Sequence, residues 1–447
     1  MRRASLTTLL NGSLSAARAL ASFFTVSLLI CYLGKETYGL CLTITGIAYW
    51  LSATQGGLGQ SLKNEMIRLR AAGQEKDELA SILFSSAFLL LGVGALAVAL
   101  ILTVAVHYLP WAAILNYPAF DRNPAWLHLI IASTWIVLLT LPLSLVRATY
   151  SAFQLEYRLA PWLLAGLLTT FAFIIFGTSH GLGLVKVVAA SLAANLIGLA
   201  AGLGSMAKTL GVRPAWRRVN PRLLRNLAGA GVWFFAIEIC SVVIFQADVF
   251  LVNLLRGQAQ TTTFALHGQL FVYVQTAVTL LVSPYWPAFG EAWQNREHDW
   301  LHRSVHRLAL VTAGISVGGV SVLLTAGSTL MNRWSHGQVQ WNPLLAGLIG
   351  INMVVQAVTG VYSTALGSAG IVREQAIVVG VQSLFNAVAC YFLIGRYGVT
   401  GGAFASMATF ALTSALYLPW KFTRVSRERR TEDTLNGGLH LTPTAVR

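Results

Sequence analysis

Residues 82–107 read ILFSSAFLLLGVGALAVALILTVAVH, 26 positions without one acid, Lys or Arg. About twenty mainly apolar residues suffice to carry a helix across the hydrocarbon of a bilayer, and this run exceeds that length. Lipid offers the backbone no hydrogen-bond partner, and the alternation of a β-barrel strand is absent, so the run must be helical. Working outward from it, the 447-residue chain divides into twelve such runs. They fall at 9–33, 40–60, 82–107, 127–150, 159–178 and 182–204, then at 228–255, 264–288, 308–330, 343–367, 375–395 and 399–420. The expected fold is an all-α polytopic membrane protein with twelve transmembrane helices.

Composition agrees. Hydrophobic residues make up 55% and charged residues 11%, against about 25% charged in ordinary soluble domains. The formal charge is nevertheless +15. A soluble nucleic-acid binder could carry that charge but not a mean hydropathy of +0.65, so nucleic acid is excluded as a partner.

The basic residues report orientation, because Lys and Arg accumulate in cytoplasmic loops. With the N-terminus inside, 24 cations and 12 acids fall on the cytoplasmic side, and five cations and two acids fall outside. Arg18, Lys186, Glu238 and Asp248 remain within spans and cancel. Both termini are therefore expected in the cytoplasm, and membrane lipids are the expected surroundings. The chain divides into a six-helix half at 1–204, a basic linker at 205–227, a second six-helix half at 228–420 and a basic tail at 421–447. The tail, charged and short, is expected to be disordered. Arg18 interrupts the first apolar run, so a removable signal peptide is not expected. The four cysteines lie in or beside spans and form no disulfide framework or zinc spacing.

Polar groups in lipid mark packing partners or wet cavities. Arg18 lies about 14 Å inside the first span at 1.5 Å per residue, and Asn11, Ser15, Ser22 and Thr25 share its helix face. That stripe lines a cavity, or else Arg18 pairs with helix carbonyls in packing. Glu238 and Asp248 share a face of the seventh span. They either line the cavity as proton or cation sites or form a structural pair with Arg18. Gln356, with Asn352, marks a polar face of span ten, and Gln382 and Asn386 form an i, i+4 pair in span eleven. Such amides bind sugar hydroxyls or join helices. Lys63, Arg68 and Arg147, near span ends, either attract an anionic headgroup or signal topology alone.

His298, His302 and His306 follow an i, i+4, i+8 pattern on an amphipathic helix expected over 291–307. No Cys or acid completes a metal set there, so no metal is assigned. Gly56-Gly57-Leu58-Gly59 lacks the strand–turn–helix setting of a phosphate loop. No cofactor is expected. The longest outer loop, 108–126, holds Asp121 and Arg122 as its charged residues, too little for a membrane glycosyltransferase or polymerase. Leu33-Gly34-Lys35 and Arg256-Gly257-Gln258 occupy matching positions after the first span of each half, the trace of a parallel repeat.

The stretches Tyr32–Leu40 (YLGKETYGL) and Gly56–Asn64 (GGLGQSLKN) resemble the opening of the Wzx-type polysaccharide flippases. These flippases form part of the multidrug/oligosaccharidyl-lipid/polysaccharide exporter superfamily. Ser283–Ala292 (SPYWPAFGEA), Thr364–Gly370 (TALGSAG) and Tyr397–Ala403 (YGVTGGA) are similar to its later spans, so the resemblance covers nearly the whole chain. It implies two six-helix bundles around a central cavity that opens alternately to each side. The implied substrate is an oligosaccharide on a polyprenyl diphosphate, moved from the cytoplasmic to the outer leaflet of a bacterial inner membrane. Polymerase and glycosyltransferases of the same pathway are the implied partners. Arg18 matches the cationic cavity of that family, while Glu238 and Asp248 depart from it and leave a cation-coupled drug antiporter of the same superfamily as the rival.

Overall fold

The computed structural model describes residues 2–50, 57–59, 61–63, 65–66, 76–118, 120, 124–153, 155–218, 221–283 and 285–439. Among them no strand occurs. The first half contains α1 (Arg2–Trp50), α2 (Lys76–Ala105), α3 (Ala125–Ala152), α4 (Glu156–Ser179) and α5 (Leu184–Leu210). The second contains α6 (Pro221–Arg256), α7 (Gln258–Val282), the short α8 (Tyr285–Gln294), α9 (His298–Trp334), α10 (Pro343–Ser368), α11 (Arg373–Tyr397), α12 (Val399–Leu412) and α13 (Ser414–Leu439).

Eleven helical stretches among the described residues are long and apolar enough to span a membrane, with Ala16–Ile47 counted as one. That stretch is two spans, because α1 breaks at Gly34, whose φ of 76° and ψ of 165° leave the helical region. A side chain there would be strained, and glycine alone adopts this backbone freely. The twelve-span reading therefore stands, the eleven and twelve counts differing only at this break. Gly257, at the corresponding place in the second half, has φ 80° and ψ 176°. The two matched glycines thus turn the chain in the same way, as a parallel repeat requires.

Each half has its own core. In the first, Phe84, Leu145, Tyr150, Leu159 and Met206 pack together, with Leu62 joining from the helical residues 61–63. In the second, Phe289, Leu301, Val361 and Phe422 form one cluster. A third cluster joins the halves: Ile30 and Tyr38 of α1 pack with Phe271 of α7 and Trp334 of α9. It lies at the end of the bundle that carries Gly34 and Gly257, opposite the chain termini.

Hydrogen bonds close that same end. Trp334 Nε1 donates to the Phe23 carbonyl at 2.7 Å, and Gln338 Nε2 donates to the Ile30 carbonyl at 3.0 Å. Ile30 is among the last residues before the Gly34 break, where helical carbonyls lack an ordinary partner. Thr262 Oγ1 donates to the Lys35 carbonyl at 2.5 Å. Asn253 Nδ2 donates to the Leu115 carbonyl at 2.7 Å, and Gln258 Nε2 to the Asn116 carbonyl at 2.6 Å. Gly39 permits this approach, since a Cβ there would collide with the Gln258 carbonyl and lie 2.6 Å from Thr262 Oγ1.

Two expectations are corrected. The tail is not disordered through 421–439, because α13 continues the last span as helix to Leu439. Leu418, Phe422 and Val425, on one helical face, are buried against Leu301, Val305 and Leu308 of α9. Lys421 Nζ also lies 2.7 Å from Glu374 Oε2, and Arg430 Nη1 lies 3.2 Å from Asp299 Oδ1. The amphipathic helix expected over 291–307 is instead two elements. The chain turns between α8 and α9 at Arg296, which has a positive φ of 59°. The histidines consequently sit on the first turns of the 37-residue α9. There His306 Nδ1 meets Tyr362 Oη at 3.1 Å.

Candidate substrate cavity

Two cavities lie one above the other between the halves. The lower, about 570 Å³, is lined by Lys63 from the first half and by Glu238, Gln275, Thr279, Trp286 and Thr364 from the second. Lys63, Trp286 and Thr364 stand toward the end that carries the termini. The upper, about 580 Å³, extends toward the closed end and is lined by Thr45, Asp248, Gln269, Gln275, Asn352 and Gln356, among others. Gln275 lines both. The two spaces thus share a wall at Gln275, and the upper one lies nearer the end closed by the Gly34 contacts.

The first half supplies the positive charge. Arg18 is half-buried on α1, and Arg147 of α3 is close enough for its charge to act on it. Arg147 also acts on Lys63, as does Glu156 with the opposite sign. Burial pushes the Lys63 ammonium below its usual range, with Glu156 opposing and Arg147 adding to the effect. Three cations read separately from the sequence are thus brought into one electrostatic group, although the lining of the two cavities includes Lys63 and not Arg18. Arg68 lies outside the described residues, and the side chain of Asn11 is likewise outside the description. Ser22, on the Arg18 face, accepts a 3.4 Å hydrogen bond from Tyr273 Oη.

The second half supplies the acids and amides. Glu238 and Asp248 are ten positions apart on α6, about 15 Å along a helix, and each opens on a different cavity. Neither has a described salt bridge to Arg18. Asp248 is 6% exposed. Its Oδ1 accepts from Asn386 Nδ2 at 3.1 Å and from Cys390 Sγ at 3.1 Å, and its Oδ2 accepts from Ser406 Oγ at 2.5 Å. Thr409 Oγ1 in turn donates to Asn386 Oδ1 at 3.1 Å. A buried carboxylate held by several donors is satisfied without a cation beside it.

Asn386 therefore stands behind Asp248, and Gln382 stands further off. Gln382 Oε1 accepts from Ser414 Oγ and, at 3.2 Å, from Thr413 Oγ1, where α12 gives way to α13. Gln356 faces the upper cavity. Sequence reasoning passed over Gln269, Gln275, Trp286 and Ser406. The two glutamines were detectable as amides within an apolar run, the same signal that marked Gln356. Trp286 and Ser406 carried no such signal, because Trp and Ser are common in membrane helices.

No family model matches the chain. A Yersinia pseudotuberculosis protein named for O-antigen export is 21% identical over 425 residues, covering 92% of this chain and 94% of its own length. Among solved structures, an inward-facing multidrug resistance MATE family transporter of the MOP superfamily superposes with a TM-score of 0.70 at 12% identity. That match covers 95% of this chain and 99% of the transporter. An outward-facing structure of a MATE family transporter of the MOP superfamily gives a TM-score of 0.63 at 11% identity, covering 96% and 98%. The chain is a multi-pass membrane protein with the two-lobed helical fold of these transporters, the architecture its sequence resemblance implied.

Proposed function

We propose that this chain is a transporter rather than an enzyme, a flippase that moves a polyprenyl-diphosphate-linked oligosaccharide by alternating access. One observation carries the reading: Lys63, with the Arg147 charge in range of it and of Arg18, lines a cleft whose other walls offer Gln275, Thr279 and Thr364. A diphosphate needs cations, a glycan needs hydrogen-bonding groups, and the prenyl tail can stay in lipid. The likeness to a protein named for O-antigen export supports the same cargo.

The excess of basic residues on the terminal side supports termini in the cytoplasm, and the likeness to a Yersinia pseudotuberculosis protein supports a bacterial inner membrane. On that reading the sealed Gly34 end faces outward, and the described state is open inward. Lys63, Arg147 and Arg68 draw the diphosphate to the mouth, and Arg18 receives it deeper in the membrane. The lobes then exchange gates: the Phe23–Trp334 and Thr262–Lys35 contacts part, and the terminal end closes. Asp248, with Glu238 below it, is the coupling site, where an ion or proton taken up from outside resets the lobes. A polymerase and glycosyltransferases of the same pathway are the partners on either side.

Reconstituted vesicles test this. A fluorescent polyprenyl-diphosphate oligosaccharide placed in one leaflet should reach the other only where the protein is present. Unchanged leaflet asymmetry would overturn the proposal. The acids favour a second reading, cation-coupled drug antiport, in which a lipophilic organic cation moves against a proton or Na⁺ gradient in the same vesicles. Movement of that cation without movement of the lipid would select it.

A further inference from the structure

Two amide oxygens of the upper cavity wall are left without partners. Gln275 Oε1 and Asn352 Oδ1 are buried and accept no hydrogen bond from the protein. Both residues line the cavity. An acceptor buried in that condition is costly, and membrane helices ordinarily join such amides to each other. Here the neighbouring amides do otherwise: Gln269 hydrogen-bonds Tyr273, while Gln382 and Asn386 are taken up by Ser414 and Asp248. Gln275 and Asn352 therefore hold acceptors that the fold does not use, just behind the wall of a space of about 580 Å³ that their side chains line, and a half-turn of each amide exchanges its oxygen with its nitrogen at that wall.

That volume is within the range of about 300–1,000 Å³ typical of small-molecule sites. An amide both donates and accepts, which suits a hydroxyl, itself donor and acceptor. Gln356 adds a third amide and Phe264 an apolar surface against which a ring can lie. The charge of the space is equally specific. Asp248 lines it, and no Lys, Arg or His is among its described lining residues. The cations of the first half instead approach the lower cavity, through Lys63. An anionic ligand group in the upper cavity would meet an acid and no compensating cation, which disfavours it.

Resting on the flippase reading above, we infer that Gln275, Asn352 and Gln356 form a saccharide subsite selective for uncharged, hydroxyl-bearing sugars. It excludes sugars bearing a carboxylate. The diphosphate end of the cargo then lies toward Lys63 and the sugars point toward the sealed end. A site built to hydrogen-bond a hydroxyl discriminates strongly against a group that cannot make those bonds.

The test uses the full chain in lipid nanodiscs and three probes: bare polyprenyl diphosphate, the same lipid bearing a neutral trisaccharide, and the same bearing a trisaccharide with one uronic acid. Dissociation constants are measured for the wild type and for the Gln275→Leu/Asn352→Leu double variant. Two neutral hydrogen bonds correspond to about a tenfold gain in affinity. In the wild type, the neutral glycolipid is expected to bind about tenfold tighter than the bare lipid, and the uronate glycolipid no tighter than the bare lipid. In the double variant the glycan gain, taken against binding of the bare lipid to the same variant, falls to about onefold. The single variant Asn352→Ser, which adds no apolar surface, is expected to lose about threefold of the gain, and it decides the matter if the double variant does not fold.

A variant that keeps the full gain overturns the subsite, and so does a uronate glycolipid that binds as tightly as the neutral one. Saturable binding of the bare lipid with no gain from any glycan overturns the subsite and leaves the flippase reading standing. No saturable binding of any of the three lipids to the wild type overturns both.

Discussion

The indole of Trp334 donates a 2.7 Å hydrogen bond to the Phe23 carbonyl, and its ring lies stacked on the Phe23 ring with centroids 5.1 Å apart. One residue thus holds the two halves together by both an amphipathic edge and a flat apolar face. Trp334→Ala removes both. A neutral hydrogen bond contributes about 0.5–1.5 kcal/mol and an aromatic pair about as much again, so the closed end should weaken by about 1–3 kcal/mol. Spin labels placed on the two halves near Gly34 should show a new, longer distance population. An unchanged distance distribution would mean that other contacts carry the seal.

Gly39 makes the opposite test. Leucine at this position would place carbon against the Gln258 carbonyl and Thr262 Oγ1, so the Gly34 end should be unable to close. Gly39→Leu is expected to insert normally, to show the longer distance throughout, and to stop transport. Closure by this variant, seen as the wild-type distance, would contradict the role given to the close approach.

Arg18→Ala should abolish movement of the lipid-linked glycan while the protein remains inserted and folded, with Arg18→Lys retaining part of it. Lysine keeps the charge but not the planar fork that suits phosphate. Leaflet exchange in vesicles, beside size-exclusion behaviour in detergent, separates loss of function from loss of fold. Wild-type exchange by Arg18→Ala would remove Arg18 from the mechanism.

Asp248 and Glu238 are assigned coupling rather than cargo binding. Asp248→Asn/Glu238→Gln should therefore leave binding of bare polyprenyl diphosphate within about twofold while abolishing the response of transport to an imposed ion or proton gradient. Transport and its gradient response that both match wild type would show that coupling lies elsewhere.

The docked tail gives a stability prediction. Phe422 is fully buried among residues of α9 and α10, and Phe→Ala in such settings costs about 3–5 kcal/mol. Phe422→Ala should lower the thermal midpoint in detergent clearly, whereas Arg424→Ala, whose partner Glu428 is exposed like itself, should leave it nearly unchanged. Equal midpoints for Phe422→Ala and wild type would mean that the tail packs without stabilising the bundle.

Much of this architecture was legible in the residues. Span positions follow from hydropathy, because a lipid-crossing segment is constrained along its whole length. Glu238, Asp248 and Gln356 were visible as polar groups in an apolar solvent, and they do border the central space. Gln382 and Asn386 show what periodicity leaves open. Their spacing establishes a shared helix face, yet the neighbour of that face is set by packing, and here it is Ser414 and Asp248 rather than the cavity. Composition also misjudged the tail. Its charges suggested solvation, but Leu418, Phe422 and Val425 recur at helical spacing beneath them, and that stripe finds an apolar partner in α9.

The seal at the Gly34 end uses main-chain acceptors on the side of the first half: the carbonyls of Phe23, Ile30, Lys35, Leu115 and Asn116. Every residue type presents the same carbonyl. Substitutions along the first half, outside Phe23, Ile30, Tyr38 and Gly39 whose side chains or lack of one the seal uses, can therefore reshape what the cleft admits without disturbing the latch, provided Gly34 remains. The donors Trp334, Gln338, Thr262, Asn253 and Gln258 have no such freedom. Variation in cargo should accordingly be written into the walls, while the five donor positions tolerate little exchange.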